Sequence, residues 1–157
     1  MLFLQFAAAV VISYLGLLAG FILATMTREE LPTAKKYFPW LEKLVILVVA
    51  ALVMNFFSIS IIFKAAAYAL LLLFFIRSYN TKFVYAAFGA AAFAASKNSG
   101  MLLITASLVF LFGLLSGSNS FKTNLRKRDM VKAAAKALAN NIFYPAVAIM
   151  LFLAFSK

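Results

Sequence analysis

Cysteine and histidine are both missing from this chain of 157 residues. Without cysteine there is no disulfide, thiolate nucleophile or iron–sulfur ligation. Without histidine the usual metal ligand and the usual neutral-pH proton carrier are gone. Acids are nearly as scarce. Glu29, Glu30, Glu42 and Asp129 stand against 15 lysines and arginines, for a net charge of +11. All four acids are expected in or beside loops, with none deep in a span. The chain carries no HExxH, no GxSxG and no intramembrane pair of aspartates, so membrane proteolysis lacks its parts. It has no carboxylate set for Mg²⁺, no phosphate-binding loop and no TVGYG-like filter. No catalytic residue, cofactor or metal site is expected, and the chain is not read as an enzyme.

Long uncharged runs are what the sequence has instead. Residues 1–27 carry no charge, Leu44–Phe63 and Ala137–Ser156 are uncharged runs of 20 residues, and Met101–Phe121 is one of 21. About 20 apolar residues of helix cross a hydrocarbon core of about 30 Å. At 66% apolar residues the chain has too few polar groups to clothe a water-soluble globule. The expectation is an all-α polytopic transmembrane bundle in a single membrane domain. Six spans are expected, at about 2–26, 40–56, 58–76, 82–96, 100–116 and 141–155. The turn between the second and third is inferred from length, with Asn55-Phe56-Phe57-Ser58 as the break. One kinked helix there would reduce the count to five. The fourth span is short, about 22 Å at 1.5 Å per residue, and a re-entrant segment is the alternative.

Charge supports six. The loops after the first, third and fifth spans then share a side and hold 12 of the 15 bases, leaving Lys64, Lys97 and Lys157 for the other. Such a bias follows the positive-inside rule and places both termini outside. Tyr37, Phe38, Trp40, Tyr79 and Tyr85 are expected at the inner headgroup boundary. The segment from Ser116 to Ser120 reads as flexible. Beyond it, Phe121–Asn140 reads as an interfacial amphipathic helix whose Lys122, Arg126, Lys127, Arg128, Lys132 and Lys136 contact anionic headgroups. Nucleic acid fits poorly, because the bases are spread over several loops.

Small residues mark helix-packing faces: Ser13, Gly16 and Gly20 in the first span, Ala86, Ala90 and Ala94 in the fourth, and Gly113 and Gly117 as a second Gly-x-x-x-Gly pair. Packing inside the monomer is preferred to homodimerisation for such stripes. Lys64, about a turn and a half into the third span, either snorkels to the outer surface or joins Asn55 and Lys97 in an outer polar pocket for a lipid phosphate or a partner's carboxylate. In the first inner loop, Thr27 or Thr33 is expected to cap a short helix, and Lys35 and Lys36 to pair with Glu29 and Glu30.

The stretch Glu29-Glu30-Leu31-Pro32 with Lys35-Lys36-Tyr37-Phe38, following a glycine-containing first span, resembles small multi-spanning archaeal membrane proteins of unknown function. It covers about a tenth of the chain, and Ala34 stands where that pattern has glycine. The resemblance implies a prokaryotic cell membrane and no particular activity. The residues themselves point first to a small non-enzymatic scaffold, accessory or assembly subunit with a membrane-protein partner. A small oligomeric transporter or channel, and an anionic-lipid-binding protein, are the alternatives.

Overall fold

The computed structural model describes residues 3–56, 62, 64, 66, 69, 80–121 and 127–155; for residues 56 and 127–130 the backbone alone is described. Among these residues the regular structure is helix throughout, with no strand. Helices satisfy every mid-segment backbone group internally, which lipid demands. They are α1 Phe3–Met26, α2 Leu31–Lys35, α3 Phe38–Phe56, α4 Thr81–Ala95, α5 Ser99–Ser120, α6 Lys127–Asn140 and α7 Phe143–Phe155. Asn80 and Asn98 start α4 and α5. The Asn80 side chain accepts from the Lys82 amide, and the Asn98 side chain accepts from the Gly100 and Met101 amides. Among the described residues, four stretches are long and apolar enough to cross a membrane: Phe3–Met26, Phe38–Asn55, Ser99–Ser120 and Val131–Phe155. Helix α4 is apolar but shorter.

The bundle is organised around the α1–α5 pair, which runs parallel. A Cβ added to Gly16 would fall on the Phe110 carbonyl, and one added to Gly20 on the Leu114 carbonyl. One added to Gly113 would stand 2.8 Å from the Leu17 amide nitrogen. Both Gly-x-x-x-Gly pairs are thus used against each other within the chain, bringing backbones into direct contact. Ser118 Oγ fastens the crossing by donating to the Gly20 carbonyl at 2.8 Å. Helix α7 runs antiparallel to α1: Phe152 stacks on Phe6 at 4.5 Å between ring centroids, and Tyr144 meets Ser13. Helix α4 lies along α7, with Gly89 against the Tyr144–Ala148 backbone and Phe93 beside Phe155. Helix α3 closes the bundle with Val45, Ile46 and Val49 buried against α4 and α5.

So α1 and α5 point one way, while α3, α4 and α7 point the other. Helices α3 and α4 both start from the end where α1 and α5 finish. The expected third span, 58–76, lies outside the described residues, apart from Ile62, Lys64, Ala66 and Ala69, each of them helical.

One expectation is corrected. Residues 116–120 are not flexible but form the last turn of α5, with Ser116 and Ser118 buried and Gly117 seated on Leu17. Their small size reads as loop chemistry in isolation, yet it is what admits the α1 backbone. From Lys127 to Asn140 the basic segment is helical and amphipathic, as expected. Helix α6 buries Ala133 and Ala134 in part against Phe21, Ala24, Leu31 and Phe121, and packs Ala137 and Leu138 on the main core. From Val131 it belongs to the same apolar stretch as α7, broken at Asn141 and Ile142.

Candidate polar centre and charged end

Helix α3 carries Glu42 on the same face as its core valines. Positions 42, 45, 46 and 49 follow the i, i+3, i+4, i+7 spacing of one buried helical stripe. The carboxyl-bearing residue is accordingly 2% exposed. It stands beside the loop, four residues into α3, as expected, but turned into the bundle. The spacing that reveals it was present in the sequence, but proximity to Pro39 and Lys43 suggests a loop edge. Tyr85, expected at the headgroup boundary, is 1% exposed inside the bundle. Its ring packs edge-on to Phe112 at 5.3 Å. The Tyr85 hydroxyl lies beside Ser116 and near the Glu42 carboxyl, but among the described residues nothing meets it with hydrogen-bond geometry. Helices α3, α4 and α5 thus bring one carboxyl, one phenol and one hydroxyl together.

A second polar group sits at mid-height. Ser13 Oγ and Tyr144 Oη share a hydrogen bond of 2.6 Å, while Ser13 Oγ also lies 2.9 Å from the Val10 carbonyl as a donor. Tyr14 donates its hydroxyl proton to the Leu138 carbonyl at the end of α6. Asn141, in the break between α6 and α7, donates its side-chain amide to the Ala137 carbonyl at 2.8 Å. Its buried Oδ1 has no hydrogen-bond partner among the described residues. These bonds satisfy carbonyls that a broken helix releases, a requirement wherever such a break lies at membrane depth. Beyond Ser13 the interior turns apolar, with Val10, Phe6, Leu102 and Phe152 buried and Thr105 as a buried hydroxyl among them.

The residues singled out from sequence distribute as follows. Lys64 Nζ donates to Asn55 Oδ1 at 2.9 Å on an exposed surface. Lys97 lies in the exposed turn between α4 and α5, at the same end of the bundle as Asn55. No contact joins it to that pair among the described residues. Lys132 and Lys136 are exposed on α6. Lys122 and Arg126 lie outside the described residues, as do the side chains of Lys127 and Arg128. Lys35 does not pair with the neighbouring glutamates but donates to the Phe121 carbonyl. Helix α2 is preceded by Glu30 with no side-chain cap, rather than by a threonine. Trp40 is 73% exposed with Lys43 Nζ 5.4 Å from its ring centre, and Tyr37 is exposed beside it. Of the Ala86, Ala90, Ala94 stripe, Ala90 is exposed and the other two half-buried. The buried face of α4 is instead Val84, Tyr85, Phe88, Gly89, Ala91, Ala92 and Ala95.

Among the described residues no three acidic side chains gather as a metal-binding group. What the arrangement offers chemically is a buried polar cluster of Glu42, Tyr85 and Ser116 packed among apolar side chains. Comparison with protein-family models, with curated proteins and with solved structures finds no match.

Proposed function

We propose that the chain is a small non-enzymatic membrane protein that serves as a scaffold or assembly subunit beside a larger membrane partner. One observation carries the reading: among the described residues none covers the Ala90 face of α4. The glycine pairs of α1 and α5 are consumed in an internal crossing. Ala87 and Ala90 stay exposed and, with Ala94, line an apolar groove against Ala50, Val53 and Met54 of α3. Small residues at a lipid-facing groove are the means by which membrane helices accept a neighbour closely. The partner element is therefore an apolar transmembrane helix. The positive-inside rule orients the basic end toward the cytoplasm and both termini outward, in a prokaryotic cell membrane.

The test is native mass spectrometry of protein drawn from its own membrane in mild detergent. A stoichiometric heteromer is expected, and Ala90→Leu should dissolve it while thermal unfolding stays unchanged. A chain that runs alone under those conditions overturns the proposal. A discrete homo-oligomer points instead to the transporter or channel reading, which the burial of Glu42 favours. Under that reading, Glu42→Gln abolishes ion flux into proteoliposomes; equal flux from both proteins removes it.

A further inference from the structure

We propose that the outward face of α6 holds the phosphate of an anionic lipid below the level of the surrounding headgroups, through Lys132 and Lys136. The proposal is independent of the partner on α4 and rests on where the bundle places these two lysines.

Helix α6 has two faces. Ala133, Ala134, Ala137 and Leu138 are half-buried on the bundle. Lys132, Lys136 and Asn140 are exposed. At 100° per residue their i, i+4, i+8 spacing keeps them within about 80° of one another, opposite the packed alanines. They form one polar stripe along the outside of the helix.

Depth comes from the contacts at the far end of that helix. Helix α1 has 24 residues, so it is about 36 Å long at 1.5 Å per residue. Ser13 and Tyr14 lie at its middle. Ser13 holds Tyr144, and Tyr14 holds the Leu138 carbonyl. The last turn of α6 is therefore pinned near the middle of the bundle. Lys136 stands two residues before Leu138, about 3 Å along the helix, and Lys132 six residues before it, about 9 Å. Both fall inside a half-thickness of about 15 Å. They also lie inside the apolar stretch Val131–Phe155.

An ammonium on a lipid-facing surface at that depth is costly and calls for a counter-charge. A lysine stem can carry it part of the way to the boundary. Two lysines one turn apart, with Asn140 continuing the stripe inward, form instead a path of donors along which a phosphate can descend. Lysine recognises phosphate as a point charge with three donors. The ligand chemistry is thus a phosphodiester with net negative charge, carried by a phospholipid because the stripe opens sideways into the bilayer.

The chain has no cysteine, which makes single-site labelling clean. The protein is reconstituted into vesicles of phosphatidylglycerol and phosphatidylcholine in equal parts. A nitroxide at Asn140→Cys should relax the phosphorus signal of phosphatidylglycerol more than that of phosphatidylcholine. A nitroxide at Leu103→Cys, exposed on α5, should not discriminate. Lys132→Gln and Lys136→Gln should each lower the preference for retained phosphatidylglycerol about fivefold, and Lys136→Arg should keep it. Thermal unfolding of each variant shows that the bundle is intact. Equal relaxation of both lipids from position 140, or unchanged retention in folded Lys136→Gln, overturns the proposal and leaves the lysines as snorkelling side chains.

Discussion

Tyr85 and Tyr144 are both fully buried tyrosines on facing helices, yet their hydroxyls have opposite fates. Tyr144 shares a 2.6 Å hydrogen bond with Ser13, whereas the Tyr85 hydroxyl has no hydrogen-bond partner among the described residues. Removing a satisfied hydroxyl loses a bond, and removing an unsatisfied one relieves a desolvated group. Tyr144→Phe should therefore cost about 1 kcal/mol. Tyr85→Phe should be neutral within about 0.5 kcal/mol or stabilising. Thermal unfolding in one detergent, with the two variants side by side, measures the difference. A loss at Tyr85 as large as at Tyr144 would mean that water or Ser116 satisfies it in the membrane. Glycines separate in the same way. A side chain at Gly20 meets the Leu114 backbone, which cannot give, while one at Gly100 meets only the end of the Asn98 side chain at 3.3 Å. Gly20→Leu should cost about 3 kcal/mol, the upper end for forced overpacking. Gly100→Ala should stay within about 0.5 kcal/mol. Equal melting points for these two variants would contradict the α1–α5 crossing.

At the scale of the element, the turn between α4 and α5 depends on one side chain. Asn98 Oδ1 accepts from two amides that begin α5, at 2.9 Å from Gly100 and 3.2 Å from Met101. Asn98→Ala should cost about 1 kcal/mol and speed amide exchange at Gly100 and Met101, while Asn98→Asp keeps the cap. Protection of those two amides that is indifferent to the alanine would show that packing, not the cap, starts the helix. The limits of the helices were largely legible, because an uncharged run of about 20 residues has few other solutions in lipid. What escaped were features that depend on a neighbour. Gly117 and Ser118 carry loop chemistry, and only the α1 backbone opposite them turns that chemistry into a helix interior. Tyr85 carries boundary chemistry, and only Phe112, Phe88 and Tyr144 around it draw it inward. Glu42 is different, because its stripe with Val45, Ile46 and Val49 can be read without a partner. Its burial was legible, while its meeting with Tyr85 and Ser116 required the packing of three helices.

The direction of the helices is the property of the whole molecule on which its orientation in a bilayer depends. Glycine contacts at positions 16, 20, 113 and 117 make α1 and α5 parallel. Ring contacts from Phe6 to Phe152 and from Phe93 to Phe155 make α7 antiparallel to α1 and parallel to α4. Lys36, in the turn before α3, and Lys82, in the first turn of α4, must then lie at one end, with Lys97 at the other. Both of the first two are exposed, as is Lys97, so each can be replaced by cysteine without disturbing the core. In sealed vesicles of one orientation, a membrane-impermeant maleimide should label Lys36→Cys and Lys82→Cys from the same side and Lys97→Cys only from the other. Labelling of Lys36→Cys and Lys82→Cys from opposite sides would contradict the shared direction of α3 and α4. The concentration of bases at one end would then be lost, and with it the charge asymmetry on which the proposed orientation rests.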